Sequence, residues 1–248
     1  MKARYYGSKK WKKEQSLLKA MGISYRESPV ISVVGAGGKT TTIERLAEEF
    51  MAQDRKVVVT TTTHIRRDAK PWYLLEPTVE ELEMALEEYR KVYVGRKAPD
   101  GKMESLSETL LAEILKRRFP ILIEADGAKG MSLKAPASQE PVILPESTHV
   151  LSVYGMDAVG KRMENVCFRV EAVKHILEKE EKDKITPEDV AILADSPLGG
   201  RKGCPAGAEY WVVLNQAEDI RRFGFAKQVC MSLEEKSMIN VLVTGRGE

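Results

Sequence analysis

Cysteine is scarce in this chain: Cys167, Cys204 and Cys230 stand far apart among 248 residues. No two of them form a Cys-x-x-Cys pair, and the odd count leaves one without a mate. That pattern argues against a structural zinc site and fits a reducing cytoplasm. Long apolar runs are missing too, and no stretch approaches the length of a membrane span. The start is basic (Lys2, Arg4, Lys9, Lys10, Lys12, Lys13) but lacks the apolar core of a signal peptide, which argues against export. Net charge is only +2 although 31% of residues are charged, so no nucleic-acid or membrane role follows from bulk charge. There is no internal repeat and no low-complexity segment. What the chain does have is 43% hydrophobic residues, enough to fill the core of one large α/β domain.

A further absence bears on residues 30–43, Val-Ile-Ser-Val-Val-Gly-Ala-Gly-Gly-Lys-Thr-Thr-Thr-Ile. The full phosphate-loop pattern wants a glycine five residues before the second one, and Val33 stands there. The shorter Gly-x-x-Gly-Lys-Thr remains: Gly35, Gly38, Lys39, Thr40. Val30 to Val34 reads as a buried strand of a parallel sheet. Ile43, Leu46, Ala47, Phe50 and Met51 then mark one face of a helix. Between them, Gly35, Ala36, Gly37 and Gly38 allow a tight turn whose N–H groups face an anion, with Lys39, Thr40 and Thr41 at the helix start. Lys39 supplies a point charge, and the Thr40 hydroxyl is suited to magnesium. This spacing resembles the ATP loop of the Mur-type amide ligases. The bland alternative is a glycine turn with no ligand.

Residues 1–28 are expected to form a basic helical extension, with Leu17, Leu18, Met21 and Ile23 packing on the edge of a domain over 29–248. A second strand, Val57–Thr61, runs into Thr60-Thr61-Thr62-Thr63-His64. Those hydroxyls could serve magnesium, the γ-phosphate or a water, or merely end a strand, and His64 is a ligand, a base or an ordinary loop histidine. Thr78 with Glu81 predicts a capping box, Lys91–Val94 a strand, and Ser105 with Glu108 another capped helix. The alternation of strand and helix predicts a mostly parallel sheet covered by helices on both faces.

The segment 120–127 is an apolar run ending in acids, like the metal-bearing strand of phosphate-loop proteins. Glu124 is assigned to the metal shell, Asp126 to orienting the attacking group, and Lys39 or a metal is the expected counter-charge. The bland alternative is a strand-terminal Asp-Gly turn. Residues 128–145 read as a long loop over a site. A strand over 148–154, a helix within 165–182, a helix start at Thr186-Pro187 and a basic turn at 199–205 follow. Tyr210–Leu214 is a strand ending in Asn215-Gln216-Ala217-Glu218. Where GTP-binding proteins carry Asn-Lys-x-Asp, Asn215 fits, while Glu218 replaces the base-reading aspartate. A last strand is expected over 239–244.

Together these blocks resemble the accessory proteins associated with selenium-dependent molybdenum hydroxylases. The likeness covers Leu17 onward and rests on 33–41, 60–64, Glu-Ala-Asp-Gly-Ala-Lys-Gly (124–130) and Leu-Lys-Ala-Pro-Ala (133–137). Glu-Pro-Val-Ile (140–143), Gly-Met-Asp-Ala-Val-Gly (155–160) and Lys-Gly-Cys-Pro (202–205) extend it. The resemblance implies a three-layer phosphate-loop NTPase-like fold that binds Mg2+ with ATP or GTP. It also implies, as partner, a molybdenum hydroxylase or a protein that processes its cofactor. The departure at 215–218 weakens any guanine preference. Three activities stay open: a hydrolase or phosphoryl/nucleotidyl transferase, a Mur-like amide ligase, and a nucleotide-switched chaperone.

Overall fold

The computed structural model describes residues 2–7, 10–65, 67–99, 101–236 and 240–245. Lys9 of the basic start, Asp100 of the turn after residue 98 and Ile239 of the last expected strand lie outside the described residues. The chain opens with strands β1 (Lys2–Gly7) and β2 (Lys10–Glu14) and a one-turn helix α1 (Leu17–Ala20) capped by Ser16. The glycine turn joins β3 (Val30–Gly35) to α2 (Lys39–Met51), and β4 (Val57–Thr61) follows. Short strands β5 (His64–Ile65) and β6 (Tyr73–Leu75) precede α3 (Val79–Tyr89), β7 (Lys91–Lys97), β8 (Met103–Glu104) and α4 (Glu108–Lys116). Then come β9 (Ile121–Glu124), β10 (Leu133–Lys134), β11 (His149–Gly155), α5 (Met163–Val166), β12 (Cys167–Phe168) and α6 (Val170–Leu177). The described elements finish with α7 (Pro187–Asp195), β13 (Glu209–Asn215), α8 (Ile220–Lys236) and β14 (Asn240–Gly245).

One mixed sheet of twelve strands runs β2-β1-β14-β13-β11-β3-β9-β4-β7-β8-β5, with β6 beside β7, and β10 pairs separately with β12. Every neighbour from β14 through to β7 is parallel, and the antiparallel pairs lie towards the two edges. Successive strand residues point to opposite faces. Ile31, Val33, Val57, Val59, Leu151 and Val153 meet α1 and α2 in one core. Val30, Val34, Val58, Val150, Val212 and Leu214 meet α3, α4, α7 and α8 in the other. The strands are buried from both sides, as near-continuous apolar runs require.

The connections set the position of the site. From β3 the chain leaves through α2 to β4, on one side; from β9 it leaves to β11, on the other. The crossovers after these two neighbouring strands therefore diverge, and a crevice opens at their carboxyl ends.

Two expectations need correction. The N-terminal segment is not a helical extension: β1 pairs antiparallel with β14 and with β2, and only Leu17–Ala20 is helical. Lysine-rich Lys10–Glu14 caps the sheet as its edge strand, where exposed charges deter further pairing. The apolar Leu17, Leu18, Met21 and Ile23 are buried with α2 in the core on that face of the sheet. The cap of α4 is Ser107, whose hydroxyl accepts from the Leu110 amide, in place of Ser105. The helix expected within 165–182 is α6, which carries Val170, Val173 and Leu177, while Cys167–Phe168 before it pairs with β10.

Candidate functional site

The glycine turn is shaped by crowding. Gly35, Gly37 and Gly38 have φ of +91, +82 and +125, which L side chains rarely adopt. A Cβ on Gly37 would lie 2.3 Å from the Gly155 nitrogen and 2.7 Å from the Ser132 carbonyl oxygen. One on Gly38 would lie 2.1 Å from Asn215 Nδ2. The turn is thus wedged between the end of β11, the Met131–Ser132 segment and the end of β13.

This wedging decides which amides are left for an anion. The Gly35 N–H donates to Asp126 Oδ2 at 3.0 Å, the Ala36 N–H to the Val153 carbonyl at 2.9 Å and the Gly37 N–H to the Met131 carbonyl at 2.9 Å. These three residues hold the loop together, so the expected cradle narrows to Gly38 and the first turn of α2. The first bond of that helix runs from the Thr42 amide to Gly38 O, at 3.0 Å. The amides of Lys39, Thr40 and Thr41 lie ahead of it, where a helix has no carbonyl of its own to offer. Helices α3, α4 and α7 are capped by Thr78, Ser107 and Thr186, whereas no side chain caps α2. Its N-terminal field is unopposed by any capping oxygen.

Lys39 and the two acids converge as expected. Lys39 Nζ donates to the Gly35 carbonyl at 2.8 Å, and lies 3.1 Å from Asp126 Oδ1 and 3.9 Å from Glu124 Oε1. The acids are not equivalent. Glu124 is the outer one: its Oε2 accepts from the exposed Thr40 hydroxyl at 3.2 Å. Burial pushes the Glu124 carboxyl up from its ordinary pKa, against the opposing pull of Lys39 and Thr40. Asp126 is the inner one, with its side chain 2% exposed and held by Gly35, Lys39 and Lys134. That position suits Asp126 to holding Lys39, and does not bring it to an attacking group as first expected.

The sequence reading missed Lys134. Its ammonium, 1% exposed, sits 2.9 Å from Asp126 Oδ2, 2.9 Å from Glu140 Oε2 and 2.7 Å from the Gly127 carbonyl. Glu140 in turn pairs with Arg169. Burial works against the charge on Glu140, but Lys134 and Arg169 outweigh it and hold the carboxyl below its ordinary range. The available signal was Leu133-Lys134-Ala135, a lysine flanked by apolar residues inside a polar loop.

The threonine run plays a quieter part. The Thr60, Thr61 and Thr62 hydroxyls donate to the carbonyls of Val94, Glu124 and Val142, at 2.8, 2.7 and 2.6 Å. They tie β4 to β7, to the end of β9 and to the loop at Val142, and Thr60 also lines the cavity described below. His64 lies 3.4 Å from Glu104 across the β5–β8 pair. In the basic turn, Arg201 pairs with Asp195, and Lys202 donates to the Ser138 carbonyl. Asn215 is spent on the loop: Nδ2 donates to Gly37 O at 3.0 Å and Oδ1 accepts from the Thr244 hydroxyl at 2.9 Å. Glu218 lies 2.9 Å from Arg222.

Beside Thr40 and Glu124 opens a cavity of about 420 Å3. Ile43, Tyr73, Tyr93 and the 127–130 loop line it, and the two tyrosine rings stack at 4.4 Å. Among the described residues, no group of three or more His, Cys, Asp or Glu side chains could hold a metal ion. Thr40 and Glu124 alone fit a magnesium that takes its other ligands from phosphate oxygens and water.

Fold and site together define an α/β protein with a mostly parallel mixed sheet flanked by helices. Its glycine turn sets a buried lysine against two acids at the end of a neighbouring strand. The chain belongs to the YqeC protein family, whose match runs over residues 31–171 and so includes Lys39, Glu124, Asp126, Lys134, Glu140 and Arg169. It is similar to the uncharacterized protein YqeC of Escherichia coli (strain K12), 32% identical over 198 residues that cover 75% of each chain. No solved structure matches it. Among the described residues, no helix is long and apolar enough to cross a membrane.

Proposed function

We propose that this protein is a phosphate-loop nucleotide-binding protein that takes Mg-ATP or Mg-GTP at the β3–α2 turn. The observation that carries this reading is the position of Lys39. It stands at the head of the uncapped helix α2, 3.1 Å from Asp126, in the crevice where the crossovers from β3 and β9 diverge. Phosphate oxygens there would meet the amides of the first helical turn and the Lys39 ammonium. Thr40 and Glu124 would hold the magnesium, which supplies charge neutralisation on the phosphates. Glu124 also borders the cavity, where its carboxylate can accept a proton from a substrate hydroxyl or amine.

A cavity of about 420 Å3 next to the phosphate site is within the size range of small-molecule pockets. It favours phosphoryl or nucleotidyl transfer to an acceptor over transfer to water. The resemblance of blocks 33–41, 124–130, 133–137 and 155–160 to the selenium-dependent molybdenum hydroxylase accessory proteins supports a role for that reaction in maturation of such an enzyme or its cofactor.

The test is calorimetry with Mg-ATP and Mg-GTP, followed by chromatography of the products formed with and without a molybdenum hydroxylase present. Saturable binding that requires magnesium is the expected result. Absence of binding for both nucleotides would end the proposal.

A further inference from the structure

We infer that Lys134 is a positioning residue that frees Lys39 to engage phosphate, by taking over the charge of Asp126. The inference rests on the nucleotide-binding reading above.

Asp126 is 2% exposed, and a carboxylate there is strongly disfavoured without a counter-charge. With Lys39 as its sole cation, every movement of Lys39 toward a nucleotide would strand a buried negative charge. Lys39 would then be held at home by the residue that positions it. The structure supplies a second cation. Lys134 binds the opposite oxygen of the same carboxylate, Oδ2, while Lys39 sits at Oδ1. Lys134 is fixed from behind by Glu140 and by the Gly127 carbonyl, and Glu140 is balanced by Arg169. The row reads Lys39, Asp126, Lys134, Glu140, Arg169, alternating in sign, buried at its first three members and half-buried at Glu140 and Arg169. Removing Lys39 leaves every remaining charge of this row in contact with an opposite one, while Glu124, outside the row and 3.9 Å from Lys39, keeps the Thr40 hydroxyl.

Lys134 is not among the residues that line the cavity beside Thr40 and Glu124, and the small pocket it does line is shared with Gly35 and Asp126. On this inference its effect on Lys39 passes through Asp126, and the Asp126→Asn background separates that route from its hold on the Gly127 carbonyl. A merely structural lysine would change the melting temperature and leave the nucleotide affinity of the folded protein unchanged.

The experiment compares Lys134→Met, Asp126→Asn and the double variant with the wild type, by calorimetry with Mg-ATP and Mg-GTP after a thermal melt of each. Lys134→Met is expected to weaken nucleotide binding tenfold or more. In the Asp126→Asn background the same substitution should change affinity by less than threefold, because a neutral side chain at 126 needs no replacement cation. Should Lys134→Met not fold, the double variant is expected to fold and to bind as Asp126→Asn does. Wild-type affinity in Lys134→Met, or a double variant tenfold weaker than Asp126→Asn, overturns the inference while the nucleotide reading stands. A wild type that binds neither nucleotide overturns both.

Discussion

Asn215 reaches across 178 positions of sequence to donate its Nδ2 hydrogen to the carbonyl of Gly37, 3.0 Å away. Asn215, which fits the first position of the Asn-Lys-x-Asp pattern, braces the glycine turn, with its other end fixed by Thr244. Asn215→Ala leaves a buried carbonyl without its donor, at a cost of about 1–3 kcal/mol. Urea unfolding should show that loss, and calorimetry should show ATP and GTP binding weakened alike. Discrimination between the two nucleotides in the wild type should stay under about tenfold, roughly 1.4 kcal/mol. A loss confined to GTP would restore Asn215 as a base reader.

Lys39→Ala removes the charge-assisted contact to phosphate, worth about 1.5–3 kcal/mol. Mg-nucleotide affinity should fall about tenfold or more. Lys134 still answers the charge of Asp126 in this variant, so the melting curve should remain cooperative. Unchanged affinity would mean that the turn does not hold phosphate.

Glu124→Gln keeps the shape at the mouth of the cavity and removes a charge from the magnesium shell. Titrating magnesium at fixed nucleotide should show a higher concentration at half-saturation than in the wild type. An identical magnesium dependence would place the metal elsewhere.

Gly37→Ala puts a methyl group 2.3 Å from the Gly155 nitrogen, at a φ of +82 that alanine resists. Backbone lies on both sides of that space, so relief requires moving β11 or the 131–132 segment. A destabilisation of about 1–3 kcal/mol is expected from overpacking alone. Denaturant midpoints measure it, and a midpoint equal to that of the wild type would show the loop to be freer than its packing implies.

His149 lies at the start of β11, at the opposite end of the strand from Gly155, and burial lowers its pKa below 6.5 against the pull of Glu209 and Glu27. The folded state therefore binds that proton less readily than the unfolded chain. The contribution to stability is complete above pH 6.5 and is lost as the pH falls through the lowered folded value. Melting temperatures measured downward from pH 7 should decline less steeply in His149→Gln than in the wild type. Parallel curves would show that His149 does not carry the effect.

Much of the fold could be read along the chain. The caps at Thr78 and Thr186, the Val30–Val34 strand running into an amphipathic α2, and the apolar run ending at Glu124 are local patterns. Each depends on residues within a few positions of one another, which helix and strand geometry bring together. The N-terminal strands were not legible in this way. Their stability comes from β14, whose residues lie more than two hundred positions away, and no local periodicity records such a partner.

The site divides along the same line. Sequence by itself determined that a lysine would head a glycine-turned helix and that two acids would end a buried strand, because spacing alone places them. Tertiary structure alone decided that Asp126 faces inward and Glu124 outward, that Asn215 braces Gly37, and that Lys134 is the second cation. Those outcomes depend on strand order and on which carbonyls and charges are left without water in the packed interior. A buried ion must find its partner among whatever the fold brings near, and that neighbourhood exists only once β3, β9 and β11 lie side by side.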